Sequence, residues 1–312
     1  MFGKYVIHGL FLIASMMFAQ QGDRIDLGTL QTGASFSFVR TAGGVWGIEI
    51  SGGTTPRLIQ QEPAIIEVFR TEEDILKLAA GYKSVQKSTP YLNARAEISY
   101  DNAVFRIEDR WSLNRDVVSV QRKVEVAGNA PGGFNSSVVF KVDPSVNWSD
   151  INCMAPGALY GDPTYSGDRS PGGTLNDSTQ RFLMREDILP APLFSISFNS
   201  GSSIAILDPF PRCESTFEET KLLKDAMTDE RFQFGAFGVW QQGNNPIEFG
   251  FQFPGTTSIY SFGPNAPVQP RWIRRFHPIA QGVIYNYEVN FRFGQNESFR
   301  EVTRNTWRWA WS

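Results

Sequence analysis

Alternation of apolar and polar residues runs through most of the chain and predicts β-strands. Residues 35–39 read Ser-Phe-Ser-Phe-Val, and the alternation continues over residues 45–50 after a Gly43-Gly44 turn. The clearest case is residues 284–293, where the aromatic and aliphatic residues occupy every second position. Because successive side chains of a strand point to opposite faces, this period of two predicts strands with one buried face.

Turn-forming residues separate further segments of the same kind. Strands are predicted at residues 96–100, 104–111, 117–126, 138–142, 193–198, 203–207, 232–240, 247–253 and 258–262. The connections between the first four are too short for crossover helices, so the pairing is expected to be antiparallel. About fourteen to sixteen strands exceed what one open sheet holds without splitting, which predicts an all-β fold of two stacked, twisted antiparallel sheets.

Two short helices are predicted between the strands. Thr71 and Asp74 resemble an N-terminal cap, apolar residues follow at helical spacing, and Gly81 would end that helix. Residues 215–225 are the second candidate.

A third helix is predicted at the end of the chain, where Ser298 and Glu301 form a capping-box pattern. Phe299, Val302, Thr306 and Trp309 then share one face, and three of the last six residues are tryptophan. So much apolar surface needs a partner. Either this helix docks back on the sandwich, or it is the first helix of a further domain; we favour the second.

Residues 143–180 contain many glycine, proline, serine, aspartate and asparagine residues and little periodicity. Long loops of this kind are usually functional or disordered. The aromatic and aliphatic residues within this one favour a packed loop.

Composition excludes several classes of site. The 312 residues carry a net charge of −3, which argues against nucleic-acid binding. His277 is the one histidine outside the apolar N-terminal run, and Cys153 and Cys213 are the two cysteines. Sites with several histidine or cysteine zinc ligands are therefore excluded, and no metal is predicted. No phosphate-binding loop or dinucleotide fingerprint is present, so no cofactor is predicted either.

The N-terminus resembles a secretory signal peptide over residues 1–19, with Lys4 before a mostly apolar run and Ala19 at the end. The alternative is a membrane anchor, but the run falls short of the ~20 apolar residues that a span needs. We therefore expect a secreted or extracellular protein with no stable membrane span. Asn135, Asn147, Asn176 and Asn296 begin glycosylation sequons.

The two cysteines of an exported chain suggest a disulfide between Cys153 and Cys213. Two buried free thiols are the alternative. Sequence spacing does not decide between them.

Three segments together resemble a known family. They are residues 156–162 (PGALYGD), residues 185–192 (REDILPAP) and the closing Glu-Ser-Phe…Trp-Arg-Trp-Ala helix. The pattern resembles the N-terminal supersandwich domain, similar to galactose mutarotase-like domains, of secreted six-hairpin glycoside hydrolases. In those enzymes an (α/α)6 barrel follows the sandwich and supplies the general acid and base. The resemblance therefore implies an accessory domain whose C-terminal helical partner domain is absent from this chain.

Candidate site residues cluster in and after the long loop. Asp162, Glu186 and Asp187 are the catalytic candidates, because glycoside hydrolysis uses a pair of carboxyl groups. Carbohydrate contacts are predicted from aromatic rings that stack on sugars and polar groups that bind hydroxyls. These candidates are Trp148, Tyr160, Asp162, Tyr165, Asp168 and Arg185. Turn formation and pairing of acids with arginines are the structural alternatives.

Two other segments combine aromatic and polar residues. Trp240, followed by residues 241–245 with their glutamines and asparagines, is a second surface that could bind sugar. Residues 271–278 are basic and aromatic and could bind an anion, although an edge strand with paired arginines is the expected role, and His277 is expected to be structural.

The sequence thus predicts a signal peptide at 1–19, a supersandwich at 20–295 and the start of a helix at 296–312. The functional hypothesis is an accessory domain of a secreted carbohydrate-active enzyme that lends loop 153–187 to the substrate cleft. A stand-alone carbohydrate-binding module is the main alternative, and an autonomous mutarotase-like or lyase enzyme is a third.

Overall fold

The computed structural model describes residues 22–71, 74–163, 179–212, 226–255, 258–260 and 271–312. The signal peptide predicted at 1–19 and the helix predicted at 215–225 lie outside these residues.

The described strands form two β-sheets that share one hydrophobic core. Sheet I contains β1 (Arg24–Thr29), β2 (Ser35–Arg40), β3 (Trp46–Ser51), β4 (Leu58–Gln60), β5 (Ala64–Thr71), β6 (Asp74–Ala80), β11 (Gly133–Val142), β14 (Thr179–Arg185), β17 (Ala226–Thr228), β18 (Ala236–Gln242), β19 (Glu248–Phe253), β20 (Ser258–Tyr260) and β21 (Arg271–Pro278). Sheet II contains β7 (Ser84–Ser88), β8 (Tyr91–Tyr100), β9 (Ala103–Asn114), β10 (Val117–Gly128), β12 (Ile151–Ala155), β13 (Leu159–Gly161), β15 (Leu193–Phe198), β16 (Ser203–Leu207) and β22 (Ile284–Gly294).

The strand order confirms the predicted architecture. Sheet I follows β1-β2-β3-β4-β11-β19-β18-β14, with the β5–β6 hairpin and β21 also pairing with β11. Sheet II follows β13-β12-β15-β16-β22-β10-β9-β8-β7. Among the described strands, the pairing of β17 with β21 is parallel and the others are antiparallel.

The two faces of sheet II differ as the alternation predicts. In β8 the residues Leu92, Ala94, Ala96 and Ile98 are buried, while the residues between them are polar and face outward. The strands β9, β10 and β22 repeat this pattern. The apolar rows pack against sheet I, and the polar rows form the outer face.

A buried ion pair joins the two sheets inside this core. Asp109 and Arg122 lie opposite each other on β9 and β10, and both side chains are fully buried. Arg122 donates to both carboxylate oxygens of Asp109, Nε to Oδ1 at 2.7 Å and Nη2 to Oδ2 at 2.6 Å. It also donates to two carbonyl groups of the sheet I side, Ser137 O at 2.5 Å and Pro63 O at 3.0 Å. We call this arrangement the arginine clamp.

Two predicted features are wrong. Residues 71–81 do not form a helix, because β5 and β6 pair as an antiparallel hairpin. From Leu76 to Ala80 the burial alternates, with Leu76, Leu78 and Ala80 half-buried and the residues between them exposed. The apolar period there is two, although the sequence also fits helical spacing. The predicted loop at 143–180 is partly regular, since it contains a 3₁₀ turn at Trp148–Asp150 and the strands β12 and β13.

The capping box does begin a helix, α1 (Phe299–Ala310), in which Ser298 Oγ accepts from the backbone N–H of Glu301. Helix α1 docks on β15 and β16 with Val302 and Thr306 buried, whereas Trp311 is 77% exposed. No helix of the described residues is long and apolar enough for a membrane span.

Glu297 ties α1 to sheet II. Its Oε1 accepts from Asn305 Nδ2 on the helix at 2.7 Å, and its Oε2 accepts from Ser203 Oγ on β16 at 2.9 Å. Arg292 on β22 also pairs with this carboxylate at 3.3 Å. One side chain therefore links the helix with two strands, so part of the docking face is polar.

The predicted disulfide is not formed, because Cys153 is a free thiol. Its side chain is fully buried in β12 within the hydrophobic core, and burial raises its pKa. Cys213 lies outside the described residues.

We predict that removing the cation of the arginine clamp strongly destabilises the protein. Arg122→Met leaves Asp109 buried without its ionic partner, which should lower the free energy of unfolding by about 3–5 kcal/mol in urea denaturation. The control Arg106→Met removes an exposed arginine of β9 and should cost less than about 1 kcal/mol. Asp109→Leu combined with Arg122→Met should recover part of the loss, and equal losses in Arg122→Met and the control would contradict the role of the clamp.

Candidate functional site

A cleft of about 470 Å³ opens on the outer face of sheet II. Its floor crosses β8, β9, β10 and β22. The strand registers place the outward residues of this floor in two rows. The first row is Asn93, Arg110, Gln121 and Glu288, and the second is Arg95, Glu108, Lys123 and Asn286. A volume of this size suits a small ligand.

The floor is rich in groups that donate and accept hydrogen bonds. Gln121 Nε2 donates to Glu288 at 2.8 Å, and Arg95 forms an ion pair with Glu108 at 3.0 Å. Carboxylates, amides and cations thus lie side by side on a shallow surface. Such a mixture binds polar ligands with many hydroxyl groups better than apolar ones.

The chain after β16 forms one wall of the cleft. Strand β16 pairs with β22 as far as Leu207 opposite Asn290. The next residues are Asp-Pro-Phe-Pro, and proline supplies no N–H for continued pairing. The wall consists of Asp208, Phe210 and Arg212, with Gln233 and Phe253 beside them. Phe210 is 69% exposed and offers an aromatic ring to a ligand.

Behind this wall lies a pair of buried carboxyl groups. Glu186 begins the 3₁₀ turn Glu186–Ile188 after β14, and its Oε1 accepts from Gly235 N–H at 2.5 Å. Glu186 is 2% exposed and Asp208 is 5% exposed. The two carboxyl groups interact electrostatically, while Glu186 Oε2 has no hydrogen-bond partner in the described structure. Asp208 Oδ1 also accepts from Phe210 N–H at 2.8 Å.

Burial raises the pKa of both carboxyl groups of this pair. For Glu186, burial and then the charge of Asp208 raise the pKa to about 9. For Asp208, burial is the main cause of the rise in pKa. Glu186, behind the cleft wall, therefore still holds a proton near neutral pH, which is the property needed for general acid chemistry.

The structure brings one predicted catalytic candidate, Glu186, to this cleft. Asp187 instead forms an ion pair with Arg185, whose guanidinium lies over the ring of Phe234 at 4.3 Å. Asp162 follows β13 at the far edge of sheet II, four strands away from β22. Loop 153–187 therefore reaches the site through Glu186, behind the wall.

The predicted carbohydrate contacts do not form one surface. Tyr160 is exposed on β13, while Trp148 is 6% exposed and packs in the core. Tyr165 and Asp168 lie outside the described residues. Trp240 lies on sheet I, where its Nε1 donates to Glu248 at 2.7 Å, away from the cleft.

Two residues of the basic segment, Arg275 and His277, are buried in the protein. Arg275 is buried beside the rings of Phe232 and Phe234. His277 is fully buried, its Nε2 bonds to Phe232 O at 2.6 Å, and burial lowers its pKa to about 4. The histidine is therefore neutral and structural, as expected.

The sequons differ in their accessibility. Asn135 is fully buried in β11 and donates to Glu67 at 2.9 Å, so this fold has no room for a glycan there. Asn147 and Asn296 are exposed, and Asn176 lies outside the described residues.

Sequence reasoning missed Asp208 and the two polar rows. On each strand separately the rows look like an ordinary solvated face. The usable signal was the Asp-Pro-Phe-Pro segment, in which an acid and an aromatic residue follow a buried strand. Among the described residues, no three histidine, cysteine, aspartate or glutamate side chains are grouped as a metal site requires.

We predict that the carboxyl pair makes stability fall as pH rises. The folded state binds the Glu186 proton more tightly than the unfolded chain, so unfolding free energy should decline between pH 4.5 and about 9. The slope should reach at most about 1.4 kcal/mol per pH unit. Glu186→Gln, which stays neutral, should become progressively more stable than the wild type across this range in urea denaturation.

The exposed Glu62→Gln serves as the control and should give a pH profile parallel to that of the wild type. A constant difference between Glu186→Gln and the wild type from pH 5 to 9 would contradict the raised pKa of Glu186 in the folded state.

Comparisons with known proteins show similarity at the level of the fold. No family model matches the chain, and no curated protein matches it in sequence. A galactose mutarotase related enzyme from Lactobacillus acidophilus is 10% identical with a TM-score of 0.43, over 88% of this chain and 99% of that one. The GalM/aldose epimerase homologue from C. elegans is 9% identical with a TM-score of 0.43, over 87% and 98%.

The GH36 α-galactosidase AgaB from Geobacillus stearothermophilus is 8% identical with a TM-score of 0.44. The match covers 88% of this chain and 40% of the α-galactosidase, so this chain spans about two fifths of that enzyme. At these identities the likeness concerns the fold and does not extend to activity or site residues.

Proposed function

We propose that this protein binds carbohydrate in the cleft on sheet II. The observation that carries the proposal is the lining, which combines two rows of hydrogen-bonding side chains with the exposed ring of Phe210. Sugar hydroxyls need donors and acceptors, and the C–H faces of a sugar pack on aromatic rings. A flat polar floor beside one aromatic side chain meets both needs.

In the proposed role the chain is an accessory domain of a secreted carbohydrate-active enzyme. The signal-like residues 1–19 and the motif resemblance support this part of the proposal. The exposed Trp311 would then contact a helical domain that follows in such enzymes. A stand-alone binding module would use the same cleft without that contact.

We predict that truncation of the cleft floor weakens carbohydrate binding. Gln121→Ala and Asn286→Ala should each raise Kd about two- to tenfold, because each removes a hydrogen-bonding group. Phe210→Ala should have an effect of similar size. A panel of plant and microbial oligosaccharides, tested by isothermal titration calorimetry, provides the measurement.

Trp240→Ala is the matched control, since Trp240 belongs to the second predicted surface and lies outside the cleft. It should leave the affinity within about twofold. Loss of binding in Trp240→Ala, with the three cleft variants unaffected, would move the site to sheet I.

The carboxyl pair favours a second candidate function, the hydrolysis of a glycosidic bond. Asp208 would pass its proton to the glycosidic oxygen as the C1–O bond breaks. Water would then add to C1 and give its one released proton to Glu288, which lines the same cleft. Solvent would carry a proton from Glu288 back to the carboxyl pair.

For this second candidate we predict release of nitrophenol from nitrophenyl glycosides by the purified chain. Asp208→Asn should abolish the release, because an amide cannot transfer the proton, while saccharide binding persists. No release by the wild type, with binding intact, would leave the chain as a binding domain alone.

A further inference from the structure

Two guanidinium groups in the cleft form no ion pair at 4.0 Å or less with a carboxylate of the described residues. Arg110 lies over the ring of Tyr91, 3.4 Å from its centroid, and forms no ion pair there. Arg212 donates to the amide oxygen of Gln233 at 2.9 Å. The other two cations of the floor are paired, Arg95 with Glu108 at 3.0 Å and Lys123 with Glu125 at 3.4 Å.

Asp208 interacts electrostatically with Arg212, but within the described structure the two side chains form no ion pair at 4.0 Å or less. Asp208 instead accepts from the Phe210 N–H at 2.8 Å. Burial raises the pKa of both Asp208 and Glu186, so this wall carries less negative charge than two ionised carboxylates would give it. The cation of Arg212 therefore remains available to a ligand.

Arg110 presents its charge in a fixed position. An arginine stacked on an aromatic ring keeps its N–H edge free, and the planar group matches carboxylate and sulfate oxygens. The chain as a whole has a net charge of −3, yet this cleft contains two arginines that form no close ion pair.

The separation of the two arginines indicates the size of the ligand. Arg110 is on β9, and β22, which borders the wall of Arg212, lies two strands away in sheet II. At about 4.8 Å per strand the two positions are about 10 Å or more apart. A single sugar does not cover that distance, whereas an oligosaccharide does.

We propose that the cleft selects acidic oligosaccharides, whose carboxylate or sulfate groups bind Arg110 and Arg212. This inference rests on the proposed carbohydrate-binding function and adds the substrate class. The amides of the floor would bind the hydroxyls, and the two arginines would bind the anionic groups.

The test compares matched charged and neutral ligands by isothermal titration calorimetry on the full chain. One arm uses trimers of galacturonate, glucuronate and mannuronate beside their methyl esters, which keep the shape and lose the charge. The other arm uses sulfated and unsulfated galactose trimers. We expect at least one acidic form to bind about tenfold or more tightly than its neutral match, and the arm in which this occurs identifies the anionic group.

Arg110→Gln and Arg212→Gln should each reduce this preference about tenfold, as expected for a charge-assisted hydrogen bond, and leave the neutral ligand within twofold. Arg110→Lys and Arg212→Lys, which keep the positive charge, should retain part of the preference for acidic ligands. The control Arg106→Gln removes an exposed arginine of β9 outside the cleft and should leave the preference unchanged. Both arginines of the site are on the surface, so these variants should fold.

Two failures are distinguishable. Equal binding of acidic and neutral forms would overturn the acidic selectivity and leave the carbohydrate site standing. Absence of binding by every ligand of both arms would overturn the carbohydrate site and the selectivity together.

Discussion

The ion pair between Arg122 and Asp109 fixes the part of the structure on which the cleft depends. The arginine reaches from sheet II to the carbonyl groups of Pro63 and Ser137 on the other side of the core. It therefore sets which residues of β9 and β10 point inward. Because side chains alternate along a strand, the sequence neighbours Arg110 and Gln121 must then point outward into the cleft floor. A slip of one residue in either strand would bury the floor residues and expose the clamp, at the cost of an unpaired buried charge.

The cleft forms where β16 ends and β22 no longer has β16 as a partner. Beyond Leu207 the chain leaves the edge of β22 and turns across the outer face, bringing Asp208 and Phe210 beside the floor. The buried Glu186 interacts electrostatically with Asp208, and burial raises the pKa of both carboxyl groups. Burying these two carboxyl groups costs desolvation free energy, since each would be more stable in water. Ionisable groups whose pKa is shifted by burial are concentrated at functional sites, which supports a role for this wall in ligand chemistry.

The sheets and the terminal helix could be predicted from sequence because their signals are local. Alternation along residues 284–293 and the Ser298–Glu301 capping box each involve contiguous residues. Residues 71–81 are predicted as a helix because their apolar spacing fits both periods, and pairing with β5 makes residues 74–80 a strand. The cleft could not be predicted, because it depends on the alignment of β8, β9, β10 and β22, which are far apart in the chain. Glu186 was found as one acid of a local cluster, but its partner Asp208 adjoins it only in the folded chain.

The central claim is that the polar rows of sheet II are the ligand surface, and side-chain amide NMR tests it most directly. During titration with acidic oligosaccharides, the side-chain amide signals of Asn93, Gln121 and Asn286 should shift together and saturate at one ligand concentration. The amides of Gln241 and Asn245, beside Trp240 on sheet I, should stay in place. Shifts confined to the latter pair, with the cleft amides unmoved at saturation, would contradict the account.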